Sequence, residues 1–168
     1  MPVLLRPLIA AMLAALCLAS PASAQGDPRP AAFLSVGPDY GASGAQVWRQ
    51  AVVTGEIRSA RTVIWGLQPI YSFAVTRRGG LMAGAGLHTA LRLGVAEVTP
   101  HFSVVLWQDG QGGFEARELL QFRSGIDLMV PLTQSVSVGV GIYHVSNAGI
   151  TRRSADMDVV RLGLQWRY

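Results

Sequence analysis

The chain has no lysine, one cysteine and few charges, and beyond its first two dozen residues it has no long uninterrupted apolar run. Each absence excludes something. Cys17 is the only cysteine, so residues 25–168 carry neither a disulfide nor a thiol nucleophile, and cysteine usage says nothing about redox compartment. Charged residues make up 14% of the chain, against about 25% in a water-soluble domain of ordinary composition. Every basic residue is arginine and the net charge is +4. There is no basic run with interleaved aromatics and no nucleic-acid motif, so a nucleic-acid partner is not expected. Arginines inside a barrel, or at a rim facing phosphorylated glycolipid, account for the same count. Without a long apolar run after the N-terminal segment there is no transmembrane helix to expect.

What is present is apolar content without an apolar run: 50% of the residues are hydrophobic. That combination predicts alternating strands, the signature of an outer-membrane β-barrel. The N-terminus reads as a signal peptide over residues 1–24. Arg6 gives a positive start, Leu8 to Ala19 an apolar core, and Ala22-Ser23-Ala24 a small-x-small cleavage site, with the mature chain from Gln25. The alternative, an uncleaved anchor, is disfavoured by the short apolar core. Leu16 before Cys17 does not suit a lipoprotein signal.

Residues 25–168 then read as one all-β domain, an eight-stranded antiparallel transmembrane barrel. The expected strands are Ala31 to Gly37, Ala45 to Val53, Thr62 to Thr76, Leu81 to Leu91, Glu97 to Gln108, Arg117 to Val130, and the two arms of a last hairpin from Val136 to Tyr168. Gly55 to Arg61 reads as a polar connector, and Arg77-Arg78-Gly79-Gly80 as a tight turn. This allows roughly 18 residues per strand and connector, enough for crossings of about 9–11. The alternative is a soluble ligand-binding barrel of the lipocalin kind, with its apolar rows inward. The last strand, ending Gln165-Trp166-Arg167-Tyr168, argues against it. An aromatic at the chain terminus resembles the assembly signal of outer-membrane proteins and fits an aromatic girdle.

The last hairpin carries the chemistry. Val136, Val138, Val140 and Ile142 form one apolar row, and Val160, Leu162, Leu164, Trp166 and Tyr168 another. Extended toward the connecting loop, the first row runs into His144 and Ser146 and the second into Asp158. These are the three residue types of a serine-hydrolase triad. Ser146 would be the nucleophile, His144 its base, and Asp158 the group that fixes the imidazole. Counted from Tyr168, Asp158 lies at the outer interface, where a charge costs about 0–1 kcal/mol rather than the ~2–4 of the midplane. The bland alternative is a polar collar at the water interface, and HxS alone does not exclude it. His88 and His101 fall on inward rows and read as satisfied interior residues. No metal-ligand spacing is visible, and the chemistry as read needs neither metal nor cofactor.

The stretch His144-Val145-Ser146-Asn147-Ala148-Gly149 resembles the His-x-Ser-Asn-Ala-Gly signature of the lipid A 3-O-deacylases, the PagL family of Gram-negative outer membranes. The likeness extends through Pro100 and Gln121-Phe122; the N-terminal half shares only size and pattern. The resemblance implies that His144 and Ser146 are catalytic. It also implies a substrate, lipid A in the outer leaflet, losing the ester-linked 3-hydroxyacyl chain at position 3. The family's acid is a glutamate fourteen residues after the histidine, where this chain has Asp158; Asp156 shares its parity. Asn147 and the N–H groups of Ala148 and Gly149 are candidate oxyanion donors. A further Asn of the family is replaced here by Ser154. Arg152 and Arg153 are candidates for holding a lipid A phosphate, or simply solvated loop residues. Family members can pair, so a homodimer is compatible with the resemblance.

Overall fold

The computed structural model describes residues 29–40, 50–108, 110, 119–150 and 155–168. The expected signal peptide of residues 1–24 lies outside them, as do Arg152, Arg153 and Ser154. The described chain is a closed antiparallel β-barrel. Its strands are β1 (Ala31–Asp39), β2 (Gln50–Arg58), β3 (Gln68–Thr76), β4 (Leu81–His88), β5 (Leu91–Leu93), β6 (Ala96–Gln108), β7 (Leu120–Pro131), β8 (Val136–Ser146) and β9 (Met157–Arg167). The ladder runs β4-β3-β2-β1-β9-β8-β7-β6 and closes through β4 and β6, and the short β5 extends the β4–β6 pairing in the same register to the start of β6. The eight long strands of 8 to 13 residues make the wall. Closure pairs the backbone on both sides of every one of them, which lipid demands.

Side chains alternate as the periodicity predicts, with the apolar rows outward. Leu34, Val36, Phe73, Val104, Leu128, Val140, Leu162 and Leu164 are all exposed. Trp166 and Tyr168 stand 6.0 Å apart between ring centroids at the end of the barrel that carries both described termini, where Tyr168 N–H donates to Pro30 O at 3.1 Å. With Trp65 and Tyr71, both exposed near that end, they make the aromatic girdle.

Several boundaries differ from the sequence reading. Glu56 and Arg58 belong to β2, not to a connector, and β3 starts at Gln68 rather than Thr62. Between them Ile64-Trp65-Gly66-Leu67 is a tight turn, with φ of 46° at Trp65 and 81° at Gly66 and a Leu67 N–H to Ile64 O bond of 2.7 Å. Both central residues are left-handed, as a type I′ turn requires. The apolar alternation of Val63, Trp65 and Leu67 therefore belongs to a turn. The strand expected to run to Leu91 is interrupted at Thr89 and Ala90, and β5 carries it on in the same direction and register against β6. The Arg77–Gly80 turn forms as expected, closed by Gly79 N–H to Thr76 O at 3.0 Å with Gly79 at φ 84°.

The lumen is filled. Arg58, Arg123 and Arg161 converge on Glu56 and Asp127, all of them buried. Arg161 grips Asp127 with Nε at 2.9 Å and Nη2 at 2.7 Å and reaches Glu56 through Nη1 at 2.5 Å. Arg58 bonds Glu56 at 2.6 Å, Asp127 at 2.5 Å and Gln165 at 3.0 Å, while Arg123 pairs with Glu56. The Phe33 ring lies under Arg58 and Arg161 at 4.6 and 4.8 Å, and the Tyr143 ring under Arg123 at 4.2 Å. His88 and His101 are interior, but each is bonded at one ring nitrogen: His88 Nε2 to Ser59 O at 3.3 Å, and His101 Nε2 from Arg161 at 3.2 Å. The Nδ1 atoms of both have no partner among the described residues, so the expectation of satisfied histidines holds only in part. Toward the loop end the lumen becomes apolar, with Val52, Met82, Val105, Tyr143, Val145 and Met157 packed together.

Removing one partner of a buried ion network leaves the others charged and unpaired, at about 3–5 kcal/mol. Glu56→Ala is expected to lower unfolding stability in lipid vesicles by about that amount. Ser72→Ala, which deletes an inward hydroxyl with no partner among the described residues, should leave stability within about 0.5 kcal/mol. Urea unfolding followed by tryptophan fluorescence reads both. Equal stability of wild type and Glu56→Ala would show that the network contributes nothing.

Candidate functional site

The loop end of β7, β8 and β9 carries the candidate residues. His144 lies directly opposite Asp158 in the β8–β9 ladder, and Ser124 of β7 lies directly opposite His144 on the other side. Ser146, one step closer to the loop, faces Phe122. His144, Ser146 and Asp158 all have the outward parity that their apolar rows predict.

His144 Nδ1 donates to Asp158 Oδ1 at 2.7 Å, with side-chain exposures of 14% and 25%. That leaves Nε2 as the basic nitrogen of a neutral ring. The shorter acid is no handicap, because directly paired strand positions bring side chains within about 5 Å at Cβ. Asp156 is exposed, with φ at 40°, and makes no ion pair with His144. Ser146 Oγ makes no hydrogen bond among the described residues, to His144 or to any other group.

After Ser146 the chain turns at once. Ala148 and Gly149 have φ of 54° and 82°, and Ile150 N–H donates to Asn147 O at 3.1 Å, a second type I′ turn. The candidate oxyanion donors separate here. Asn147 is buried, and its Oδ1 accepts the Gly149 N–H at 2.9 Å. The Ala148 N–H has no acceptor among the described residues. Of the two backbone candidates, Gly149 is bonded to Asn147 Oδ1 and Ala148 keeps its N–H uncommitted.

The sequence reading passed over Ser124, between Phe122 and Ile126 in an apolar row. Apart from the Tyr71 hydroxyl and Gln108 at the end of β6, the polar side chains on the outward rows of the long strands are Ser124, His144, Ser146 and Asp158. They form one contiguous patch on three neighbouring strands. Its β6 flank is apolar, with Phe102 and Phe122 stacked at 6.0 Å. Behind the patch, Val145 and Met157 are paired and belong to the apolar packing of the lumen. The outer wall is therefore backed by close-packed core, which holds donor and acceptor in place.

The chain matches no protein-family model and no curated protein sequence. Solved structures of like fold exist. A designed transmembrane β-barrel superposes with a TM-score of 0.61 at 10% identity, covering 86% of this chain and 98% of that one. The outer membrane enzyme PagL gives 0.60 at 14%, covering 82% and 99%. The outer membrane protein Ail of Yersinia pestis gives 0.50 at 12%, covering 83% and 99%. The fold is that of an eight-stranded outer-membrane-type barrel, and at these identities the likeness is one of fold.

A left-handed alanine carries about 1–2 kcal/mol of strain, and asparagine tolerates the conformation better. Ala148→Asn is thus expected to raise unfolding stability by about 0.5–1 kcal/mol in the same urea assay. A loss of stability would refute the type I′ assignment of this turn.

Proposed function

We propose that this chain is an integral protein of the bacterial outer membrane, a serine esterase that removes the ester-linked 3-hydroxyacyl chain at position 3 of lipid A. Ser146 is the nucleophile, His144 the base and Asp158 the acid that orients it. The observation that carries this reading is the contiguous polar patch on an apolar wall, with His144 Nδ1 bonded to Asp158 at 2.7 Å at its centre. A lipid-facing row penalises polar groups, so a histidine, two hydroxyls and a carboxylate side by side need a common purpose. The His144–Gly149 signature and the fold shared with the enzyme PagL support the substrate.

In the proposed reaction Ser146 Oγ attacks the ester carbonyl while His144 Nε2 takes its proton. The Ala148 N–H stabilises the oxyanion. Collapse of the tetrahedral species expels the sugar hydroxyl, which recovers the proton from His144, and water then releases the fatty acid from Ser146 by the same steps. Asp158 holds the ring and stabilises the imidazolium. Arg152 and Arg153, in the connecting loop, are the proposed partners of a lipid A phosphate.

The second reading is a non-catalytic barrel of the OmpA type, structural or adhesive. It draws on the missing hydrogen bond between Ser146 and His144. Such bonds are often long before substrate binds, so activity decides. Mass spectra of lipid A incubated with the purified protein should show loss of one hydroxyacyl chain. Ser146→Ala and His144→Asn should fold as barrels and lose activity by about four orders of magnitude. Asp158→Asn should lose about two to four orders, and Asp158→Glu should stay within about tenfold of wild type. An unchanged lipid A profile with the wild-type protein would establish the second reading.

A further inference from the structure

Ser124 is the one member of the outward patch to which the proposed mechanism gives no part. It is half-buried, sits directly opposite His144, and its hydroxyl makes no hydrogen bond among the described residues. Along the β7 outward row it is the only polar side chain, with Phe122 above it and Ile126 below. It is also the smallest in that row, set between the stacked Phe102–Phe122 pair and the Ile126–Ile142 pair.

Its depth is fixed by the ladder. Ser146 is at the loop end of β8; Ser124 pairs with His144, one pleat step nearer the middle of the wall. An acyl chain whose carbonyl stands at Ser146 and whose tail runs down the apolar wall along β7 and β8 passes Ser124 next. Diagonal neighbours on one face are about 7–8 Å apart. An attack distance of about 3–3.5 Å at Ser146 and a hydrogen bond of about 2.8 Å at Ser124 take up most of that span. What remains along the straight line is about 1–2 Å, so the segments meet at angles, and a hydroxyl three bonds from the carbonyl carbon is within reach of Ser124. An unsubstituted chain would lay methylenes against this hydroxyl and leave it without a partner, which is unfavourable in a dry setting.

We infer that Ser124 is a specificity-determining residue of the proposed esterase, accepting or donating a hydrogen bond to a hydroxyl on the third carbon of the scissile acyl chain. This inference rests on the esterase reading above and adds a residue to it. A site with a hydroxyl awaiting a partner discriminates against the analogue that lacks one.

Two synthetic esters of one sugar alcohol test it, identical in chain length, one with a 3-hydroxyl on the acyl chain and one without, each presented in detergent micelles. For wild type, kcat/KM on the hydroxylated ester should exceed that on the plain ester by at least about tenfold. In Ser124→Ala that ratio should fall toward one, and in Ser124→Thr, which keeps a hydroxyl, it should recover. Heat-dependent gel mobility checks that each variant is a folded barrel. Equal losses on both esters in Ser124→Ala, or a wild-type enzyme indifferent to the 3-hydroxyl, would overturn the inference and leave the esterase standing. No hydrolysis of either ester or of lipid A by wild type would overturn the esterase reading and the role of Ser124 with it.

Discussion

The outer row of a closed ladder in lipid works under one constraint: a side chain placed there has hydrocarbon for a neighbour and no water to fall back on. Backbone closure through the β1–β9 and β4–β6 pairings satisfies the main chain. The side chains are left to answer for themselves, and on most of the wall they answer with leucine, valine, phenylalanine and alanine. The patch of Ser124, His144, Ser146 and Asp158 is informative because of this. On the face of a soluble protein four such residues would pass without comment. On this wall each polar group is expensive unless it is shallow, paired or used. His144 and Asp158 are paired with one another, Ser146 is at the strand end, and Ser124 is neither paired nor at an end.

The lumen meets the opposite demand and explains the arginine-only composition. Three guanidinium groups share two carboxylates in a space with no bulk water to screen them. Planar forked donors suit that task better than ammonium groups, because one arginine can hold two acids at once, as Arg161 and Arg58 do. Phe33 and Tyr143 offer their faces to the same cations. Above this layer the apolar packing that includes Val145 and Met157 stiffens the wall behind the polar patch.

Much of this was legible in the sequence because strand parity is strict. The alternation around Val140 and Leu162 placed His144 and Asp158 on one face, and the hairpin register then made them direct neighbours. The same rule marked Glu56 and Arg58, which continue the alternation of Val53, Gly55 and Ile57, yet their charge and the nearby Gly55 gave the stretch the look of a connector. Trp65 misled in the other direction: an exposed aromatic in a type I′ turn keeps a strand's spacing while its backbone is left-handed. Ser124 was hidden by its size, since a serine in an apolar row reads as tolerated filler until the neighbouring strand puts a histidine beside it. The candidate oxyanion donors were named from the sequence but could not be ranked there. Which N–H of Asn147-Ala148-Gly149 stays uncommitted depends on a side-chain bond inside the turn.

The His144–Asp158 contact illustrates how register decides what composition leaves open. Counted along the chain, Asp158 is fourteen residues from His144, and one methylene fewer than glutamate suggests a looser contact. In the ladder the two are facing residues on adjacent strands, where the distance to bridge is set by the sheet and not by the length of the loop between them. A short carboxylate on a fixed strand then has fewer rotamers to lose than a glutamate would, so holding the imidazole in one orientation has a smaller entropic cost. The position of Asp158 in the sheet, rather than the length of its side chain, is what engages the His144 ring at Nδ1.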